Sequence, residues 1–157
     1  MPDCQICGWF DGNKRNCTGG ATSPIRNCVN AIIEKRSQII NNNDFVLEIG
    51  CGYQRQLRDM VVSQGAIWYG LDPRRDSIAT NIGSAKKIPF KDKYFDVVFA
   101  SQSMEHWYEH GTTFDEGLKE IHRVLKPEGY FSIDSPIYLH GHKMFMLGRE
   151  TKINQMF

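Results

Sequence analysis

Four short apolar runs stand out along the chain, each bounded by polar residues or glycine. They span residues 45–49, 67–71, 94–100 and 130–134. The runs at 45–49 and 94–100 have nearly continuous apolar positions, which is typical of strands buried on both faces of a parallel sheet. The pattern therefore predicts four strands, two of them clearly buried.

Apolar residues at helical spacing separate these runs. Ser23 and Pro24 give a helix start, and Thr113 with Glu116 forms a capping box for a later helix. The predicted helices cover about residues 23–40, 54–64, 74–81 and 113–125, and the segment 84–90 should hold a short third strand and a loop.

The alternation of strands and helices predicts an α/β fold with right-handed crossovers. We expect a Rossmann-like, doubly wound and mostly parallel sheet with helices on both faces. Residues 1–22 form a cysteine-rich N-terminal segment, residues 23–136 the core and residues 137–157 a C-terminal tail. A chain of 157 residues can bury a core without disulfides or metals.

The first strand ends in Gly50-Cys51-Gly52, and the second ends in Asp72, about twenty residues further on. Glycines at a strand-to-helix turn let the backbone approach a ligand closely, and an acidic residue at the second strand end can accept hydrogen bonds from ribose hydroxyls. A dinucleotide fingerprint needs a further glycine where this chain has Arg55. The pattern predicts a nucleotide-like ligand and fits a dinucleotide poorly.

Five motifs in order resemble those of the class I S-adenosylmethionine-dependent methyltransferases, most closely their small-molecule branch. The motifs are VLEIGCG at 46–52, GLD at 70–72, IPF at 88–90 with FDVV at 95–98, SMEH at 103–106 and EIHRVLKPEGY at 120–130. The resemblance covers about residues 45–136 and implies methyl transfer from S-adenosylmethionine to a small acceptor such as a metabolite, sugar or lipid. The alternative is a cofactor-binding or scaffold domain without turnover that acts through a partner protein.

The resemblance assigns roles in a cofactor site. Glu48 would hold the methionine amino group, the backbone at Gly50, Cys51 and Gly52 would contact the amino-acid part, and Asp72 would bind the ribose hydroxyls. The other residues placed at the cofactor are Pro73 beside the adenine, Ser84, Ala85, Ser101 and Gln102.

Two residues depart from the family's pattern. Ser84 stands where an acidic residue often faces the adenine, and Gln54 stands where many members have a third glycine.

Two candidate site residues have an alternative structural role. Glu48 in a buried strand needs a hydrogen-bond partner, which a structural donor supplies as well as a ligand does. His106 is the candidate general base because imidazole titrates near neutral pH, and a structural or surface role fits it too.

Charge and hydropathy add further expectations. Lys and Arg total 19 against 18 Asp and Glu, which gives no electrostatic indication of nucleic-acid binding. No apolar stretch approaches the roughly 18 residues of a membrane span, and residues 1–4 lack the features of a signal peptide. We therefore expect a soluble, cytoplasmic protein.

Four of the five cysteines precede the first predicted strand. Cys4 and Cys7 have the CxxC spacing of a zinc knuckle, and Cys17 with Cys28 would complete a structural zinc site. The alternative is free, partly buried thiols, because the second CxxC of such a site is missing.

The tail after the last predicted strand is short. Members of the family usually continue into a helix and an antiparallel strand pair, so the resemblance implies a sheet that is shortened at its C-terminal end. We expect one helix within residues 137–157 and an exposed edge on the last strand. Either the chain is shortened or a homodimer forms through this edge or the tail.

Overall fold

The structure is a computed structural model that describes residues 33–134 and the strands at 138–140, 143–146 and 149–152. The chain divides into two compact units, Met1–Ile39 and Ile40–Phe157. In the first unit residues 33–37 are helical and end three residues before the predicted helix end. The rest of that helix prediction, residues 23–32, lies outside the described residues.

Five parallel strands form the main sheet of the second unit. They are β1 (Phe45–Ile49), β2 (Ile67–Asp72), β3 (Asn81–Ile82), β4 (Phe95–Ser101) and β5 (Leu125–Asp134). Their order is β3-β2-β1-β4-β5, so the chain winds outward from β1 in both directions. Helix α1 (Gln56–Ser63) connects β1 to β2, and helix α2 (Phe114–Val124) leads into β5. The predicted doubly wound α/β fold is confirmed.

Strands β1 and β4 form the buried centre of the sheet. Residues 46–49 and 97–100 are buried without interruption. Burial on both faces explains why these strands are continuous apolar runs in the sequence. Each fully buried Leu or Phe side chain contributes about 1.5–3 kcal/mol to stability, so the carboxyl ends of these two strands are firmly placed.

Helix α2 begins at the predicted capping box. The backbone N–H of Glu116 donates to Thr113 Oγ1 over 3.3 Å, and the N–H of Thr113 donates to Glu116 Oε2 over 2.9 Å. The connection before α2 contains a 3-10 helix, Met104–His110, that ends at Gly111 with φ +68°. No helix was predicted in this connection.

The segment after β2 differs from its prediction. Residues 73–80 form turns and bends, so the helix predicted over 74–81 is wrong. Two local side-chain bonds explain the difference. The Asp72 carboxylate accepts from the N–H of Arg74 over 2.9 Å, and the Thr80 hydroxyl donates to the Gly70 carbonyl over 3.1 Å. Such bonds to the backbone compete with helical hydrogen bonding.

The third strand also lies elsewhere than predicted. Strand β3 pairs with the end of β2 before the segment 84–90 begins. In that segment the N–H of Ile88 donates to Glu120 over 2.8 Å, and the Ile88 carbonyl accepts from Arg123 over 2.9 Å. Because two side chains of α2 take these backbone groups, the segment forms a loop.

The described parts of the C-terminal tail are strands, so the helix predicted within 137–157 is wrong there. Strands β6 (Tyr138–His140), β7 (Lys143–Met146) and β8 (Arg149–Lys152) pair antiparallel in a second sheet. Gly141 and Gly148 stand between these strands in the sequence, and glycine favours short links between strands over a continuous helix. Within the described residues β5 remains the last strand of the main sheet.

Candidate functional site

A cavity of about 530 Å³ opens at the carboxyl ends of β1, β2 and β4. This size lies within the roughly 300–1,000 Å³ of small-molecule pockets, and in doubly wound sheets ligands bind at this end, where the strand order reverses. The cavity is lined by Ile49, Gly50, Leu71, Asp72, Pro73, Arg74, Gly83, Ser84, Ala85, Gln102, Ser103, His106, Trp107, Glu109, His110 and Thr112.

The glycine turn after β1 forms the floor between the two flanking strands. Gly50 has φ +72° and Gly52 has φ +57°, a region that side chains rarely adopt. A Cβ at Gly50 would overlap the Cβ of Ser103, so the turn and the connection after β4 are in direct contact. Glycine at this position is required by both the backbone conformation and the packing.

Asp72 lies at the end of β2, and its carboxylate is fully occupied by hydrogen bonds. Oδ2 accepts from the N–H of Gly52 over 2.8 Å and from Arg74 Nη2 over 3.1 Å, while Oδ1 accepts from the N–H and Nε of Arg74 over 2.9 and 3.0 Å. A carboxylate offers about four acceptor positions, and these bonds use them all.

The pKa of Asp72 reflects two opposing causes. Burial raises it, since only 1% of the residue is accessible, but the hydrogen bonds from Arg74 and from Gly52 lower it further than burial raises it. The pKa therefore lies below the ordinary aspartate value, and the carboxylate is ionised at neutral pH.

Arg74 bridges the rim of the cavity to the surface. Its guanidinium lies 4.9 Å from the centroid of the Tyr53 ring, and the Tyr53 hydroxyl donates to Asp76 over 2.7 Å. The Arg74 side chain is 47% exposed. Nothing in the sequence indicates that this arginine turns back onto Asp72.

Ser84 and Ala85 line the cavity from the loop after β3. The Thr112 hydroxyl donates to Ser84 Oγ over 3.3 Å. The far end of the loop is held by Arg123, whose guanidinium donates to the carbonyls of Ile88 and Phe90. Helix α2 therefore fixes the loop that presents Ser84.

The connection after β4 contains a conformationally unusual residue. Gln102 has φ +47°, which is uncommon for a residue other than glycine and is found more often at functional sites. Its N–H donates to the Asp134 carbonyl over 2.8 Å, and its side-chain amide donates to the Asp134 carboxylate over 3.2 Å. These bonds to β5 hold Gln102 in this conformation at the cavity wall.

Two buried polar atoms of the same connection have no hydrogen-bond partner among the described residues. They are Ser103 Oγ and Trp107 Nε1, and both residues line the cavity. The Trp107 ring fits against Gly117 of α2, where any Cβ would overlap it. The ring is therefore fixed in place while its N–H stays unpaired.

His106, the candidate base, lines the cavity at its rim. Its Nδ1 lies 3.2 Å from Glu109 Oε1, and its side chain is 49% exposed. With Nδ1 donating to Glu109, Nε2 carries the free electron pair of the neutral imidazole. His110 lines the same rim.

Four residues predicted at the cofactor lie outside the lining of the cavity. Glu48 accepts from Trp68 Nε1 over 2.9 Å, so a structural donor does satisfy it. The Ser101 hydroxyl donates to Asp134 over 3.1 Å. Gly52 contributes its N–H to Asp72, as described above. Burial, followed by the nearby carboxylates, raises the pKa of the fourth residue, Cys51, to about 12, so its thiol stays protonated.

The zinc prediction concerns cysteines that the structure does not describe. Cys4, Cys7, Cys17 and Cys28 lie outside the described residues. Within the described part of the chain no group of three or more His, Cys, Asp or Glu side chains could hold a metal ion. The zinc site stays a prediction that metal analysis of the purified protein would test.

Sequence reasoning missed several lining residues, chiefly Arg74, Ser103 and Thr112. Ser103 belongs to a motif quoted for the family resemblance, but its lack of a partner depends on distant residues. Trp107 lines the cavity and also packs against Gly117 of α2.

In the described residues no helix is long and apolar enough to cross a membrane.

Comparison with known proteins identifies one family for this chain. The profile of the methyltransferase domain matches residues 47–133. The fatty-acid O-methyltransferase of Mycolicibacterium smegmatis is 37% identical over 99 residues, which cover 55% of this chain and 35% of that protein. The chain spans between 23% and 39% of the length of three further curated relatives.

Solved structures share the fold. The PH0226 protein of Pyrococcus horikoshii superposes with a TM-score of 0.59 at 24% identity, over 72% of this chain and 55% of that one. Phosphoethanolamine N-methyltransferase 2 of Haemonchus contortus, solved with S-adenosyl-L-methionine, gives a TM-score of 0.58 at 24% identity, over 68% of this chain and 27% of that one. At these identities the likeness concerns the architecture alone.

Proposed function

Because this chain belongs to the methyltransferase domain family, we propose that it transfers a methyl group from S-adenosylmethionine to a small-molecule acceptor. The observation that carries the proposal is the cavity itself. An ionised, buried aspartate at the end of β2 faces it, and a glycine turn at the end of β1 forms its floor. This pairing is typical of an adenosine-binding site in a doubly wound sheet.

The cofactor, when bound, supplies an activated methyl group on a sulfonium. Asp72 would then accept hydrogen bonds from the ribose hydroxyls, at the acceptor positions that the Arg74 guanidinium holds in this structure. Pro73, Ser84 and Ala85 would surround the adenine, and the backbone at Gly50 would contact the amino-acid part. The chain thus contributes chiefly binding and orientation, which supply much of the rate in such a transfer.

We further propose His106 as the base for acceptors that must lose a proton. It lines the cavity, and Glu109 holds its Nδ1, which leaves Nε2 to take the proton. A substitution His106→Gln should lower turnover with a hydroxyl or amine acceptor by about 10²–10⁴-fold while leaving cofactor affinity unchanged. Equal turnover of the variant and the wild-type protein would leave His106 a structural or surface residue.

The acceptor is proposed to be a small molecule because the cavity has the volume of a small-molecule pocket. The names of two similar proteins agree with this class: one acts on fatty acids and the other on phosphoethanolamine. We also propose a homodimer through β5, the last strand of the main sheet in the described residues, or through the tail. Light scattering would test it. A monomer would count against it.

The test combines binding with turnover. Thermal unfolding of the 157-residue chain with S-adenosylhomocysteine should show stabilisation, and incubation with labelled S-adenosylmethionine and a metabolite panel should yield a labelled product. Stabilisation without product from any acceptor would favour the second candidate, a cofactor-binding domain that acts through a partner. No stabilisation at millimolar ligand would contradict both.

A further inference from the structure

His106 and Glu109 both line the cavity, and they belong to the same short 3-10 helix. In such a helix three residues complete one turn, so side chains at positions i and i+3 lie one above the other. This geometry brings His106 Nδ1 to 3.2 Å from Glu109 Oε1. The conformation of the connection after β4 therefore pairs the candidate base with a carboxylate.

The backbone of this helix is held by its surroundings. The N–H of His106 donates to the Ser103 carbonyl over 3.0 Å, and the N–H of Thr112 donates to the Trp107 carbonyl over 2.9 Å. The Trp107 ring packs against Gly117 of α2, where a Cβ would overlap it. The paired side chains thus rest on a backbone that hydrogen bonds and packing fix in place.

The carboxylate determines which imidazole nitrogen carries the proton. An ionised glutamate can only accept hydrogen bonds, so Nδ1 of His106 donates to it and Nε2 keeps the free electron pair. A neutral histidine side chain in water prefers the opposite arrangement, with its proton on Nε2. Without Glu109, the nitrogen that should take a proton would therefore mostly carry one already.

The other carboxylate of the lining lies elsewhere and is already paired. Asp72 binds Arg74 over 3.0 Å at the β2 end of the cavity. Among the described lining residues, Glu109 is thus the carboxylate that remains to orient an imidazole.

We propose that Glu109 is a positioning residue for the base His106. The proposal rests on the proposed function, in which the acceptor loses a proton. As the acceptor oxygen bonds to the methyl carbon, its O–H bond breaks and the proton goes to Nε2, while the electron pair of the broken carbon–sulfur bond stays on sulfur. The resulting imidazolium lies beside the Glu109 carboxylate, whose opposite charge favours it.

The exposure of the pair sets the size of the effect. The side chains of His106 and Glu109 are 49% and 53% exposed. Water can therefore take the proton from the imidazolium after each transfer. Water also screens the two charges, so the gain from the pair is that of an exposed ion pair.

The first measurement is the tautomer of His106 in the free protein. Proton–nitrogen correlation spectra of the ring distinguish the two neutral tautomers at about pH 8, where an ordinary histidine is uncharged. His106→Gln identifies the signal. The wild-type chain should carry the proton on Nδ1 and Glu109→Ala mainly on Nε2. Glu109→Gln, whose amide oxygen can still accept from Nδ1, should return it to Nδ1.

The second measurement is turnover of labelled S-adenosylmethionine with the hydroxyl acceptor of the metabolite panel that gives the most product. Glu109→Ala should lower kcat about fivefold, with KM and the affinity for S-adenosylhomocysteine unchanged. Asp115→Ala is the matched control. It removes an exposed carboxylate of the first turn of α2 that lies outside the lining, and it should change neither the tautomer nor kcat.

Three results would overturn the positioning role: a proton on Nε2 in the wild-type chain, a proton still on Nδ1 in Glu109→Ala, or an unchanged kcat in that variant. A wild-type chain that binds S-adenosylhomocysteine but gives no product overturns it as well, while cofactor binding stands. If the wild-type chain does not bind S-adenosylhomocysteine, the proposed function itself fails.

Discussion

The two ends of the cavity differ in how their polar groups are paired. At the β2 end the Asp72 carboxylate has all its acceptor positions filled by Arg74 and Gly52. At the β4 end Ser103 Oγ and Trp107 Nε1 have no partner in the described residues. A ligand that bonds to the Asp72 carboxylate must therefore displace the bonds from Arg74.

This difference bears on what each end contributes to affinity. Replacing Arg74 by ribose hydroxyls exchanges one set of hydrogen bonds for another, so the net gain there is modest. A buried polar atom without a partner costs about 1–3 kcal/mol, so the unpaired atoms at the β4 end lower the stability of the free protein.

The largest expected effect comes from Gly50, which lies between the two ends. In Gly50→Ala the added Cβ overlaps Ser103, and φ +72° strains any side chain. We expect a loss of about 3 kcal/mol or more in the free energy of unfolding. Binding of S-adenosylhomocysteine should become undetectable. Urea unfolding and calorimetry measure the two effects.

Gly111→Ala is the matched control for that variant. Gly111 has φ +68°, but a Cβ there meets nothing within 4 Å. It should cost about 1–2 kcal/mol for backbone strain alone and leave ligand affinity unchanged. If the two alanine variants were equally stable, the contact between the glycine turn and Ser103 would carry no weight.

The second largest effect is expected on ligand affinity at the β2 end of the cavity. Asp72→Asn keeps the shape of the side chain but removes its charge, so the ribose hydroxyls lose a charged acceptor. Affinity for S-adenosylhomocysteine should fall about thirtyfold, which corresponds to about 2 kcal/mol. Asp76→Asn alters a neighbouring carboxylate outside the lining and should change affinity less than twofold. Equal effects of the two would remove Asp72 from the binding site.

A smaller effect on stability is expected from removing one of two hydroxyls of the cavity lining. One is paired, and the other has no partner in the described residues. Thr112→Val removes a hydroxyl that donates to Ser84, and it should lower the free energy of unfolding by about 1 kcal/mol. Ser103→Ala removes an unpaired hydroxyl and should leave the free protein as stable or more stable. Thermal unfolding without ligand measures both. A clear loss of stability in Ser103→Ala would show that its hydroxyl is satisfied in the free protein.

The smallest effect concerns the arginine that a ligand must displace. Arg74→Met frees acceptor positions of Asp72, so affinity for S-adenosylhomocysteine should rise about threefold, as expected for a half-exposed ion pair. Arg75→Met, its neighbour in sequence, should leave affinity unchanged. A weaker affinity in Arg74→Met would mean that this guanidinium binds the ligand and does not compete with it.

The same variant predicts a pH dependence. Burial raises the pKa of Asp72, and the bonds from Arg74 and Gly52 lower it overall. Without Arg74 the effect of burial weighs more, so the pKa rises and the carboxylate begins to protonate at a higher pH. The ratio of the variant's affinity to that of the wild-type protein should therefore fall as the pH is lowered from neutrality. A constant ratio would contradict this assignment.

The lowered pKa of Asp72 in the wild-type protein also determines how the stability of the fold changes with pH. A carboxylate whose pKa is lower in the folded than in the unfolded chain stabilises the fold above the unfolded value of about 3.9. That contribution is lost as the pH falls through the folded value. In Arg74→Met the contribution is smaller, so its stability should differ most from that of the wild-type protein above about pH 4.

The sequence was informative where local pattern and tertiary environment agree. β1 and β4 are buried on both faces, so their apolar runs predict them, and the Thr113 capping box involves residues only three positions apart. The sequence predicted a strand as well as a loop within 84–90. It could not show that the whole segment is a loop, because the bonds that hold it come from Glu120 and Arg123, more than thirty positions away. Composition alone could not separate helix from strand in the tail.

The candidate site was likewise predictable from the sequence only in part. Gly50 and Asp72 follow from motifs at strand ends and Ser84 from the family resemblance, and the structure brings the three to one cavity. Neither the bonds from Arg74 to Asp72 nor the missing partners of Ser103 and Trp107 follow from any motif. They depend on which groups the folded chain brings within hydrogen-bond distance. Ser101 shows the same limit, since its hydroxyl bonds to β5 at Asp134.

The most direct measurement is a crystal structure of the 157-residue chain with S-adenosylhomocysteine at saturating concentration. The account predicts the adenosyl group inside the cavity, with the ribose hydroxyls on the Asp72 carboxylate and the Arg74 guanidinium moved away from it. A ligand bound elsewhere, or an empty cavity with the pair of Asp72 and Arg74 intact, would contradict it.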